Sequence, residues 1–182
     1  MTPITLVDID DLQTFKLVCD SVKNHTSWPM FVWEAQMLDV KHWLGDGLLY
    51  ELFSQALTSP DSFSAENTLL LDGGTYTYND RTYMFQGLKA CIIYYAFARF
   101  TNRTAYNYTA AGIVVKESDF STPISDKVMQ RLETEARLTA EALKCEVVTF
   151  LNRNAADYPL WADFCKCSTR CSDNRPFRVI GD

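Results

Sequence analysis

Apolar residues recur along this chain at helical spacing over most of its length, and the breaks in that spacing mark out its elements. In residues 4–20, Leu6, Ile9, Leu12, Phe15 and Val18 stand three apart on one helical face, with Asp8 placed to cap the helix. Ser27 followed by Pro29 reads as a second helix start. From there to about Leu57, a stripe of Phe31, Ala35, Leu38, Leu48, Leu52 and Ala56 predicts a long helix, and Trp43, Leu49 and Phe53 widen the stripe. Leu44-Gly45-Asp46-Gly47 interrupts it. A glycine weakens a helix by about 1 kcal/mol relative to alanine, so a kink or a point of close helix contact is expected there. A phosphate-binding turn is disfavoured, because no GxGxxG or GKS pattern accompanies the glycines.

Ser59 to Asn67 reads as a loop with Ser-Pro-Asp turn chemistry. Tyr76-Thr77-Tyr78 and Arg81-Thr82-Tyr83 predict two short strands around an Asn79-Asp80 turn, with Gly73-Gly74 letting the chain bend into it. The hairpin leads into QGLKACIIYYAFARF, Gln86 to Phe100, whose only charged side chains are Lys89 and Arg99. A surface helix keeps one polar face. This segment has almost none in its middle, so it is expected to be covered on several sides. It is shorter than the roughly 20 apolar residues that span a bilayer, and no other segment is long enough for a transmembrane helix. Thr101 to Ala111 is polar and aromatic, and Ile113-Val114-Val115 predicts a brief strand. Ser121-Thr122-Pro123 opens the longest helical pattern, running to about Arg153 with Val128, Leu132, Ala136, Leu143, Val147 and Phe150 on one face. Thirty residues make a rod of about 45 Å, more than a domain of this size needs, which points to a scaffold part in an assembly. Tyr158-Pro159-Leu160-Trp161 begins a short terminal helix or turn, and a polar tail follows.

The fold class is therefore mainly α: a bundle of long helices with a small β-hairpin and one short extra strand. Residues 1–161 are read as one helical domain, with inserted segments at about 72–84 and 101–122, and residues 162–182 as a cysteine-bearing tail.

Composition narrows the function. The net charge of −6 comes with no dense basic run, which disfavours sequence-specific binding of nucleic acid. The aromatic share of 13% supplies packing or interface surface. The acidic start MTPITLVDIDDL lacks the basic region of a secretion signal, so the three Asn-x-Thr sequons at Asn24, Asn102 and Asn107 read as chance matches. Cys19, Cys91 and Cys145 fall in helical runs and are expected to be buried free thiols of a reducing cytoplasm.

Catalytic chemistry finds little purchase. Only His25 and His42 are present, and no nucleophile elbow or Cys–His arrangement accompanies them. The carboxylate pairs Glu34/Asp39, Asp10/Asp11 and Glu133/Glu135 read as solvated helix faces. Cys165, Cys167 and Cys171 place three thiols within seven positions, which could hold a soft metal if a fourth ligand came from elsewhere. Otherwise the expectation is no enzyme and no cofactor, and a metal- or thiol-dependent binding module is the alternative.

Three stretches, EAQMLDVKHWLGDGLLYELF at 34–53, LLLDGGTYTYNDRTYMFQGLKACIIYYAFARF at 69–100 and GIVVKESDFSTPISDKVMQRLETEARLTAEAL at 112–143, in this order and spacing, resemble a family of tailed-phage neck proteins. These are the head–tail connector, or head-completion, adaptor proteins of crAss-like and related phages. The resemblance covers roughly residues 4–161. It implies a structural virion protein: a helical adaptor that forms a homo-oligomeric ring, typically twelvefold, beneath the portal. Such a ring touches the portal and other neck or tail rings, passes genomic DNA without sequence-specific binding, and engages no membrane. It further implies that the 72–84 hairpin and the 101–122 connection meet partners, making Tyr76, Tyr78, Tyr106, Tyr108, Ile113 and Val115 candidate contacts. Tyr94, Tyr95 and Phe97 of the apolar rod would face the adjacent subunit.

Overall fold

Mixed helix and hairpin signals resolve into a helical bundle in the computed structural model, which describes residues 4–15, 27–58, 63–103, 106–109, 112–115 and 125–167. Helix α1 spans Ile9–Phe15. Asp8 caps it as expected: its Oδ1 accepts from the amides of Asp10 and Asp11, while Asp11 Oδ2 accepts from the Asp8 amide. The reciprocal pair satisfies amides that have no partner within the helix. The predicted helical position of Val18 lies outside the described residues.

The long pattern after Ser27 is a helix in three geometries. It runs as α2 (Trp28–Glu34), a π-helical segment π1 (Ala35–Val40) and α3 (Lys41–Leu44). In π1 the amide of Lys41 donates to the carbonyl of Gln36, five residues back. The wider turn shifts the phase of the stripe. Leu38, expected on the core face with Ala35, is 61% exposed, while Gln36 and Val40 turn inward. Buried Gln36 is fully employed: its Oε1 accepts from the Leu6 amide and its Nε2 donates to the Ile4 carbonyl, docking the segment ahead of α1.

At Gly45 the helix breaks, and α4 (Asp46–Thr58) starts in a new direction. Gly45 has φ +90°, and a Cβ there would lie 2.8 Å from the Phe164 ring, so the expected kink and close contact coincide at one residue. Helix α5 (Ala65–Asp72) follows, with Ser64 accepting from the Asn67 amide as its N-cap.

Strands β1 (Gly74–Tyr78) and β2 (Arg81–Phe85) pair antiparallel through Asn79 and Asp80, both at positive φ, as a two-residue primed turn requires. The base of the hairpin is closed by Gly73 and Gly87. A Cβ on Gly73 would sit 2.6 Å from the Gly87 nitrogen, and one on Gly87 would sit 2.4 Å from the Gly73 nitrogen. Only a pair without side chains lets α5 and the next helix meet so closely.

That next helix, α6 (Gly87–Arg103), is the apolar rod, and it is covered on several sides as expected. Leu88, Ala90, Cys91, Ile92, Ile93, Tyr95 and Ala96 are all buried in one core that also takes residues from α1, α2, α4, α5 and the long helix. Lys89 at its start ties in α5 through Asp72 (2.8 Å) and α1 through Asp11 (3.8 Å).

The connection after α6 holds two strands, β3 (Tyr106–Thr109) and β4 (Gly112–Val115), paired antiparallel. The expectation of one extra strand is thus corrected to a second hairpin: the Tyr-Asn-Tyr-Thr alternation supplies its first arm. Helix α7 spans Asp126–Arg153, and α8 (Pro159–Cys167) follows a short turn. The proposed start at Ser121–Pro123 lies outside the described residues. No helix among the described residues is long and apolar enough to cross a membrane.

Candidate functional site

Helices α6 and α7 run antiparallel, and three groups of side chains on this pair define what the molecule can do. The first is an ionic cluster. Arg99 of α6 meets Asp39 of π1 through two parallel hydrogen bonds, Nε–Oδ2 at 2.7 Å and Nη2–Oδ1 at 3.0 Å. Its Nη1 reaches Glu34 at 3.4 Å, Arg103 binds the other Glu34 oxygen at 2.6 Å, and Arg137 of α7 approaches Asp39 at 3.8 Å. Glu133 pairs with Arg137 one turn away at 3.0 Å. The Arg99 and Asp39 side chains are each 14% exposed, so the pair works in a medium where charge-assisted bonds are strong. The hydrogen bond from Arg99 to Asp39 is the main reason its guanidinium is held even more firmly protonated than usual, against the opposing effect of burial.

Glu34 and Asp39 are therefore not a solvated helix face. In a regular α-helix residues five apart diverge by more than a quarter turn, whereas the wider turn of π1 brings both carboxylates to the same arginine. With three carboxylates and three guanidiniums in contact, the cluster is neutralised within itself. It clamps three helices and leaves no unpaired base or acid to act on a substrate.

Lower on the same helix pair, the Tyr95 hydroxyl donates to Glu141 Oε1 at 2.5 Å, and Lys144 binds the second Glu141 oxygen at 2.9 Å. Burial first, then this hydrogen bond, pushes the Tyr95 phenol well above its ordinary range. Burial works against the Glu141 charge, but the bonds from Tyr95 and Lys144 hold its carboxyl below the usual range. Tyr95 is 3% exposed. Its expected role at a neighbouring subunit is corrected: it belongs to the core. Tyr94 and Phe97 are half-buried at the edge of that core.

The third group fastens the first hairpin. Arg153, at the C-terminal end of α7, donates to the Tyr76 hydroxyl at 2.9 Å and lies 3.9 Å over the Tyr83 ring and 5.2 Å from that of Tyr78. Tyr76 packs edge-on to Phe150 at 5.0 Å, and Phe85 stacks on Phe150 at 4.2 Å. Tyr76 is thereby turned into its own chain rather than outward as a partner contact. The outward part of the hairpin is Met84, 80% exposed, together with the rim of Tyr78.

Towards its start α7 is little covered by the described residues. Its buried residues begin at Ala136, yet the apolar stripe continues towards its start through Leu132 and Val128, which are 39% and 46% exposed. Leu132 precedes Ala136 by four residues and Val128 precedes Leu132 by four, so they lie on the face that is core further along.

The cysteines separate. Cys91 is buried and donates to the Ala140 carbonyl at 3.4 Å, and burial pushes its thiol strongly up. Cys145, expected to be buried, is exposed, because it falls on the face of α7 opposite Val147 and Leu143. Cys19 and Cys171 lie outside the described residues. Cys165 and Cys167 belong to α8, but their side chains are not described, nor are those of Tyr106, Tyr108, Ile113 and Val115. Among the described residues no group of three His, Cys, Asp or Glu side chains is gathered as a metal site.

The ionic cluster left little trace in the composition. The one signal available was Arg99, the only charge between Lys89 and Arg103 in an otherwise apolar helix, which needs a partner wherever that helix is covered. A family model described as a family of unknown function (DUF6712) matches residues 40–171, well over half of the chain. No curated protein and no solved structure matches it.

Proposed function

The chain belongs to the DUF6712 family of unknown function, and from its own residues we propose that it is a structural subunit of a phage neck ring. In this reading copies of the chain join side by side into a ring, typically twelvefold, between the portal and the tail, within the virion. The ring continues the channel for genomic DNA and makes no sequence-specific contact with it. The subunit has no catalytic role and no cofactor.

The resemblance of the three stretches is what suggests the assembly. The observation that carries the reading furthest is the exposed apolar face on the N-terminal part of α7. Val128 and Leu132 continue a core stripe past the last residue of α7 that is buried among the described residues, and apolar surface of that kind gains roughly 25 cal/mol per Å² when a neighbour covers it. The internally neutralised cluster around Arg99 fits the same role. It stiffens the crossing of α2, α6 and α7 without offering reactive groups, as a part that transmits load between rings needs. Net negative charge is compatible with a channel along which DNA slides, since each phosphate neutralised by a basic side chain adds affinity.

Mass photometry and negative-stain imaging of the purified chain, alone and with the portal protein of its phage, test this. Rings, free or built on the portal, are expected. A chain that stays monomeric under both conditions and never associates with portal or neighbouring ring refutes the proposal.

A further inference from the structure

We draw no further inference here: the strongest candidate, the outward face of α4 that carries Tyr50 and Leu57, 74% and 67% exposed, is an unpartnered apolar face, and nothing among the described residues shows what covers it.

Discussion

The guanidinium of Arg99 and the carboxylate of Asp39, sixty residues apart in sequence, meet through two hydrogen bonds of 2.7 and 3.0 Å at the crossing of α6 with π1. The pair is nearly dry, and Glu34 shares the arginine. Removing the cation leaves Glu34 with Arg103 alone and the poorly exposed Asp39 with only Arg137 at 3.8 Å, and a buried charge stripped of its main partner costs more than the pair itself contributes. Arg99→Ala should therefore lower stability by about 2–4 kcal/mol. Arg99→Lys should restore only part of it, because an ammonium cannot bridge both Asp39 oxygens in one plane. Urea unfolding followed by circular dichroism measures both.

Two glycines make opposite predictions. At Gly87, φ is +80° and a Cβ would lie 2.4 Å from backbone, so Gly87→Ala should cost more than about 2 kcal/mol. At Gly47, in the first turn of α4, the nearest atom is a Leu160 methyl at 3.7 Å, and Gly47→Ala should be neutral or stabilise by up to about 1 kcal/mol. Equal effects at the two sites in thermal melts would contradict the described hairpin base.

The Tyr95–Glu141 bond gives a pH dependence with a definite sign. The folded Tyr95 phenol titrates above its unfolded value, so its stabilisation is complete below about pH 10 and is lost as pH rises past that point. Glu141 is the reverse: its folded carboxyl is held low, so its share is present above about pH 4.3 and is lost on acidification through the folded value. Tyr95→Phe should cost about 1 kcal/mol at neutral pH. It should also flatten the alkaline limb of a stability-against-pH curve, leaving what remains to groups such as Cys91 and Tyr158, whose thiol and phenol are raised mainly by burial.

Arg153 is the rivet of the first hairpin, binding Tyr76 and lying over Tyr83. Arg153→Ala should destabilise the protein by about 1–2 kcal/mol. Its larger effect should be local, seen as faster amide exchange and easier proteolytic cleavage between Tyr78 and Arg81 while the core of α6 stays protected.

Val128→Glu with Leu132→Glu tests the assembly surface. Both side chains are exposed in the single chain, so the melting temperature of the monomer should change little. Ring formation on the portal should be lost or sharply weakened in mass photometry. Rings that form normally would remove this face from the interface.

Much of this molecule was legible because local rules wrote it. Asp8 caps α1, Asn79-Asp80 turns the hairpin and the apolar run becomes the covered helix α6, each from a few neighbouring residues. Errors arose where distant parts decide. Leu38 left the core because a π turn rotates it, Cys145 faces solvent because the core lies on the other side of α7, and Tyr95 turned inward to meet Glu141.

The sequence by itself determined the cap of α1, the break at Gly45 and the turn of the first hairpin, because capping, glycine freedom and hydrophobic period act over a handful of residues. It missed α5, whose first residues Ala65 to Asn67 read as loop. Only the tertiary structure decided which charges are partners. Glu34 and Asp39 look like any exposed acidic pair until α6 brings Arg99 between them. An ion pair depends on distance in space and on the exclusion of water, and neither quantity is carried by spacing along the chain.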